Sequence, residues 1–159
     1  MKIEIFTDGA AKGNPGPGGY GAILRFNGKE KELSEGFRKT TNNRMELLAV
    51  ISALKNLKTD KYPITIYSDS KYVIDAITKG WVFNWYKKGF KGKKNKDLWL
   101  KYLPLHQRFK PNFVWVKGHS GHPENERCDQ LAVHAAEQQN LPPDIVYEQE
   151  NSSDNLFTD

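Results

Sequence analysis

Two short stretches of the chain echo each other, Phe6-Thr7-Asp8-Gly9 and Tyr67-Ser68-Asp69-Ser70, each an aromatic, a hydroxyl, an Asp and a small residue at the end of a strand-like run. In open α/β sheets, sites collect outside the carboxyl ends of strands. Taken singly, either Asp reads equally well as a turn or helix-cap residue. The repetition weighs against that reading. Glu46 is a third carboxylate with a difficulty, as the one charge between Arg44 and Lys55 in a helical pattern that reads MELLAVISAL. A buried carboxylate needs a partner, either an Arg or a metal cation. Asp129 is the fourth, following Cys128 on a pattern with apolar positions 128, 131, 132 and 135, beside its packed face.

Carboxylates gathered at one strand edge repel by several kcal/mol at short range unless cations lie between them. All-oxygen ligands favour Mg²⁺, with Mn²⁺ as a substitute, over zinc. Zinc would need soft or imidazole ligands, and one cysteine with two histidines three residues apart falls short of a set. Two hard ions can activate a water and stabilise the leaving oxygen of a phosphodiester. His119, flanked by Gly118 and Gly121 in WVKGHSGHPENERCD, adds a group able to exchange a proton at neutral pH. His122, next to Pro123 at a helix start, reads as a capping or packing residue.

The elements that must position these groups follow from periodicity. Lys2 to Thr7, Tyr20 to Phe26 and Lys31 to Phe37 read as strands, with Asn27-Gly28 as the hairpin turn between the last two. Thr41 to Leu57 has a helix face at 47, 50, 51 and 54, with Thr41 or Asn42 as its cap. A short strand is expected at Ile64 to Tyr67, helices at Ser70 to Thr78, Trp81 to Tyr86 and Lys96 to Phe109, a strand at Phe113 to Val116, and a helix at Pro123 to Gln139. The order βββαβαααβα predicts an α/β fold with a mixed sheet and helices on its faces. Residues 141–159 are rich in acids with a Pro pair and little periodicity, and are expected to form a mobile acidic tail after a domain over 1–140.

Charge is unevenly placed. No Lys or Arg follows Arg127 while seven acids do, so a chain of net +5 carries +12 over residues 1–127. Such a field favours a polyanion, and a solvated basic surface without a ligand is the plain alternative. Seven lysines against one acid, Asp97, lie from Lys87 to Lys101, interleaved with Phe90 and Trp99 and preceded by Trp81 and Trp85. Aromatics among bases suit a nucleic-acid groove, although the tryptophans could equally be core, the expected place for Trp85. No apolar run approaches the ~20 residues of a membrane helix, and no leader is legible. A lone cysteine agrees with a reducing compartment, so a cytoplasmic location is expected.

Taken together, FTDGAAKGNPGPGGYGAIL, TTNNRMELLA, YSDSKYV and WVKGHSGHPENERCDQLA resemble bacterial type 1 ribonuclease H in order over about residues 1 to 140. The resemblance implies the ribonuclease H-like fold, a five-stranded mixed sheet of three antiparallel strands then two parallel ones. It implies a metal-dependent, monomeric endonuclease that cuts the RNA strand of RNA·DNA hybrids to leave 5′-phosphate and 3′-hydroxyl ends. It assigns Asp8, Glu46, Asp69 and Asp129 to two Mg²⁺ ions and His119 to the mobile catalytic loop. Gly9, Asn14, Asn42 and Asn43 are placed by it in the hybrid minor groove, where 2′-hydroxyls mark RNA. Lys39, Thr41 and Asn95 become a DNA-phosphate pocket, Trp81 and Trp99 line the channel, and Lys87 and Lys88 belong to the basic protrusion. Three departures stand out: a shorter segment between Trp85 and Asn95, Lys71 where many relatives carry Gln, and the acidic tail. The rival readings are a hybrid-binding module without catalysis and another nuclease on the same fold.

Overall fold

The structure, a computed structural model, describes residues 1–118 and 121–152. Strands β1 (Ile3–Ala11), β2 (Gly16–Phe26) and β3 (Lys29–Thr40) are followed by α1 (Asn42–Lys55), β4 (Ile64–Ser68), α2 (Lys71–Thr78) and α3 (Trp81–Lys87). Then come α4 (Lys96–Phe109), β5 (Asn112–Trp115), α5 (Pro123–Ala136) and a last short helix, α6 (Ile145–Glu150). The sheet order is β3-β2-β1-β4-β5, with β1–β2 and β2–β3 antiparallel and β1–β4 and β4–β5 parallel. This is the mixed five-stranded arrangement expected from the sequence. Asn27 and Gly28 both take positive φ at the β2–β3 turn, the conformation their dipeptide favours.

Successive residues of a strand face opposite sides of a sheet, and two adjacent glycines of β2 show which helix covers which face. A Cβ on Gly18 would strike Thr40 and Met45 beside α1, whereas one on Gly19 would strike Ala132 and Ala135 of α5. The main core lies on the α1 side, where Ile3, Ile5, Leu24 and Ile66 meet Leu47, Val50, Ile51 and Leu54 of α1 and Leu98, Trp99 and Tyr102 of α4. A smaller cluster of Phe6, Ile23 and Cys128 lies under α5. The Cys128 thiol donates to the Phe6 carbonyl at 3.2 Å, and burial raises its pKa, so it is a packing residue.

One expectation is corrected here. The acidic segment from 141 is not a free tail over its described length: the Arg38 N–H donates to the Pro142 carbonyl at 2.9 Å, and residues 145–150 form α6 against β3. Asp144 fixes it, accepting from Thr40 Oγ1 at 2.7 Å and from Arg44 Nε at 2.7 Å, all three residues being buried. Residues 153–159 lie outside the described residues.

Candidate active site

The pairing of β1 with β4 brings the two echoing tetrapeptides together. The strands run parallel without stagger from Ile3 opposite Ile64 to Phe6 opposite Tyr67, whose rings stack with centroids 4.9 Å apart. Both strands pass through a buried hydroxyl residue, Thr7 and Ser68, and reach Asp8 and Asp69 at the same end of the sheet. After Asp69 the chain turns at once into α2, because Ser68 Oγ accepts the Ser70 N–H and Ser70 Oγ caps the helix by accepting the Val73 N–H. Trp115 Nε1–H donates to the Asp69 carbonyl at 3.2 Å and braces it from β5.

Glu46 arrives from the first turns of α1, and Gly9 makes this approach possible. A Cβ at Gly9 would lie 2.4 Å from the Glu46 nitrogen, so a side chain there would drive α1 off the sheet. The glycine therefore serves an internal contact with α1. One carboxylate oxygen from each of Asp8, Glu46 and Asp69 lies within 4.8 Å of the other two. Asp129 stands at the edge: it lines the same depression as Asp8 and Asp69 but does not join that tight group.

The electrostatics are those of crowded, buried carboxylates. Burial, then the Asp69 charge, pushes the Asp8 carboxyl up to about 8, with a smaller contribution from Asp129. Burial followed by the charges of Asp8 and Asp69 raises Glu46 well above the usual carboxylate range. Among the described residues, Glu46 Oε1 and Asp69 Oδ1 are buried without a hydrogen-bond partner, although such atoms in native proteins nearly always have one. Arg44, two residues before Glu46, bonds Asp97 and Asp144 instead, while Lys117 lines the same depression as Asp8, Asp69 and Asp129. The depression lined by Asp8, Asp69 and Asp129 holds about 20 Å³, room for a water-sized or ion-sized occupant. Orphaned carboxylate oxygens around so small a space fit hard divalent cations.

The sequence model of the RNase H family matches residues 1–137. The chain belongs to the RNase H family. A ribonuclease H of Rippkaea orientalis is 56% identical over 152 residues, covering 92% of this chain and 93% of the relative, and one of Desulforamulus reducens is 55% identical over 91% and 93%. Among solved structures, LC9-RNase H1, described as a type 1 RNase H with the type 2 active-site motif, superposes with TM-score 0.72 at 30% identity, over 84% of this chain and 71% of that one. LC11-RNase H1 in complex with an RNA/DNA hybrid gives TM-score 0.65 at 27% identity, over 85% and 96%.

Within this RNase H chain the other expected site residues divide sharply. His119 lies outside the described residues. Asn14 Oδ1 accepts the Asn42 N–H at 3.1 Å, while Thr41 Oγ1 caps α1 by accepting the Arg44 N–H. Thr41, Asn43 and Asn95 share a pocket with Asn14, Lys93 and Lys94. Asn95 is tied inward, accepting from Arg44 Nη1 and donating to the Tyr72 hydroxyl. Lys39, Lys87 and Lys88 are exposed, and so is Trp81, with Lys79 Nζ 5.2 Å from its ring centroid.

Trp99 corrects the sequence reading. It is fully buried, with its Nε1–H donating to the Tyr72 hydroxyl, and it lines no channel. The spacing Leu98, Trp99, Tyr102 carried the signal, an apolar stripe of α4 that turns away from the neighbouring lysines. Trp85 packs partly into the same core, as expected, under Lys93 Nζ at 5.1 Å. Sequence reasoning missed the pair made by Lys71 and Trp115 at the rim, with Lys71 Nζ 4.7 Å from a ring that is 45% exposed. It also missed α6.

Proposed function

We propose that the chain is a metal-dependent endoribonuclease that hydrolyses the RNA strand of RNA·DNA hybrids, acting as a monomer in the cytoplasm. The observation that carries the reading is the convergence of Asp8, Glu46 and Asp69 within 4.8 Å, with two buried oxygens lacking partners among the described residues, in a chain of the RNase H family. The hybrid in the LC11-RNase H1 complex supports the substrate.

Asp8, Glu46 and Asp69 would hold the ions, two in number and Mg²⁺ by the hardness of the ligands, with Asp129 completing the set from the rim. Bound there, the ions supply positive charge to the reacting phosphodiester oxygens and acidify water. Asp69 is braced through its carbonyl by Trp115, and its carboxylate lies where a side chain at position 118 would meet it. A free Asp69 oxygen accepts a hydrogen bond from the attacking water. Water adds to phosphorus as the 3′-oxygen leaves with a proton, giving 3′-hydroxyl and 5′-phosphate ends. His119, ten residues before Asp129 in the sequence, is assigned to the proton exchange that accompanies release. Asn14, Asn42 and Asn43 face the minor groove beside Gly9, and the basic groups from Lys39 to Lys94 take the phosphates of the DNA strand.

The test uses a labelled hybrid beside double-stranded RNA and double-stranded DNA, with and without Mg²⁺. The wild type should cut the RNA of the hybrid with Mg²⁺ and leave both duplexes intact. Asp69→Asn should lose on the order of 10³-fold or more in cleavage rate, as for a group acting directly on the transition state. Hybrid affinity in EDTA should stay within twofold. Near wild-type cutting by that variant, or preferred cutting of duplex DNA, defeats the assignment.

A further inference from the structure

The strongest feature left unexplained is the acidic helix α6, which packs against the edge strand β3 beside the start of α1 and the basic surface there. It forms one wall of the pocket whose other wall is Thr41, Asn43, Lys93 and Lys94, presenting Tyr147 and Glu150 to them. In an adjoining depression Glu148 lines the same hollow as Lys39. Glu148 accepts from Arg38 through both oxygens, at 2.9 Å from Nε and 2.8 Å from Nη2. Its carboxyl is held below its ordinary value, first by the Arg38 bonds and in smaller part by the charge of Lys39.

The placement is built, because α6 is not held by these surface pairs alone. Asp144, just ahead of the helix, is buried between Thr40 and Arg44, and the Arg44 guanidinium lies 5.8 Å from the Tyr147 ring centroid. The same Arg44 bonds Asp97 and Asn95 at the start of α4. One buried guanidinium thus fixes α6, the start of α1 and the start of α4 relative to each other. Glu148, bonded to Arg38 beside Lys39, and Glu150, across a pocket from Lys93 and Lys94, are thereby set in two adjoining depressions of the surface proposed to take the DNA strand.

We propose that Glu148 and Glu150 are specificity-determining residues that weaken the hold of this pocket on backbone phosphate. Backbone phosphate is common to every nucleic acid, and contacts to it fix register without reading identity. Four unopposed cations on this surface would retain any duplex; the two acids offset part of that charge. A nucleic acid then stays bound only when the minor-groove side chains and the acid site also engage it. This rests on the function proposed above and names how its selectivity against other duplexes is set.

The test measures binding in EDTA, by anisotropy, of a 12-base-pair RNA·DNA hybrid and of double-stranded DNA of the same sequence, between 50 and 300 mM KCl. Glu148→Gln and Glu150→Gln are compared with Asp60→Asn, an equal change of charge at the other end of α4, where Asp60 faces Arg108. Each glutamate variant should bind both ligands about 2- to 5-fold tighter at the lowest salt, the range of exposed charge pairs. The slope of log affinity against log salt should steepen by up to about one, as for one more phosphate neutralised. The gain should be larger for double-stranded DNA, lowering the preference for hybrid. Unchanged affinity and slope, a gain matched by Asp60→Asn, or a gain confined to hybrid overturns the proposal. If the wild type does not prefer hybrid at all, the function itself falls; unchanged variants of a wild type that prefers hybrid remove this inference alone.

Discussion

Two buried groups of acids lie at opposite ends of one turn of α1. Around Arg44, Asp97 and Asp144 each accept two hydrogen bonds from the guanidinium, at 2.7 to 2.9 Å, and Thr40 satisfies Asp144 further. Around Glu46, two residues on, Asp8 and Asp69 crowd a third carboxylate, and two oxygens have no partner among the described residues. The first group is closed by the chain's own cation. The second stays open to solvent cations, because Arg44, two residues away, points to the opposite side of the helix. Buried carboxylates are tolerated in either way, by an internal guanidinium or by a cation from solvent, and the difference separates a structural clamp from a reactive site.

The comparison breaks most visibly at Arg44. Arg44→Met strands Asp97 and Asp144 without a counter-charge, and should cost about 3–5 kcal/mol in urea unfolding, as for removal of one partner of a buried pair. A loss below 1 kcal/mol would mean that the clamp is no clamp.

The open group should behave in the opposite sense. Asp8 has a folded value raised from its ordinary 3.8 to about 8, so the folded state binds the extra proton and its stability is greatest below the ordinary value. In metal-free protein, stability should therefore fall as pH rises from about 4 toward 8, and Asp8→Asn should lessen the fall, by on the order of 2 kcal/mol at pH 8. Mg²⁺ should raise Tm more at pH 8 than at pH 5, since the ion replaces protons. Thermal melts with and without EDTA read both effects, and an Asp8→Asn variant less stable than wild type at pH 8 would contradict this account. The smallest effect belongs to the hydroxyl that supports the clamp: Thr40→Val should cost about 1 kcal/mol by loss of its bond to Asp144, with kcat unchanged. A fall in kcat would tie the clamp directly to chemistry.

What was legible in the sequence was whatever repeats within a few residues. The β2–β3 hairpin, the bounds of α4 at Lys96 and Phe109 and the cap of α1 at Thr41 all follow from turn chemistry, spacing and capping, which act over one or two turns of chain. The echo of Asp8 and Asp69 was legible for the same reason, since each sits at its own strand end. Faces and partners were harder. Trp99 lies amid lysines in the sequence yet turns inward with Leu98 and Tyr102, because each residue of a helix rotates away from the last. The helix α6 was read as tail because its six residues carry no stripe of their own; its hold comes from Arg44, a hundred residues earlier.

By itself, then, the sequence determined the elements from β1 to α5, their order and the four acids as candidates, since these rest on local propensity and on residue type. The tertiary structure alone decided that Asp8, Glu46 and Asp69 meet while Asp129 stays at the rim, that Gly9 serves α1, and that Arg44 serves Asp97 and Asp144 rather than Glu46. The reason is that a carboxylate's state depends on burial and on the charge within a few ångströms. Those distances are set by strand register and helix approach, which the pattern along the chain does not encode.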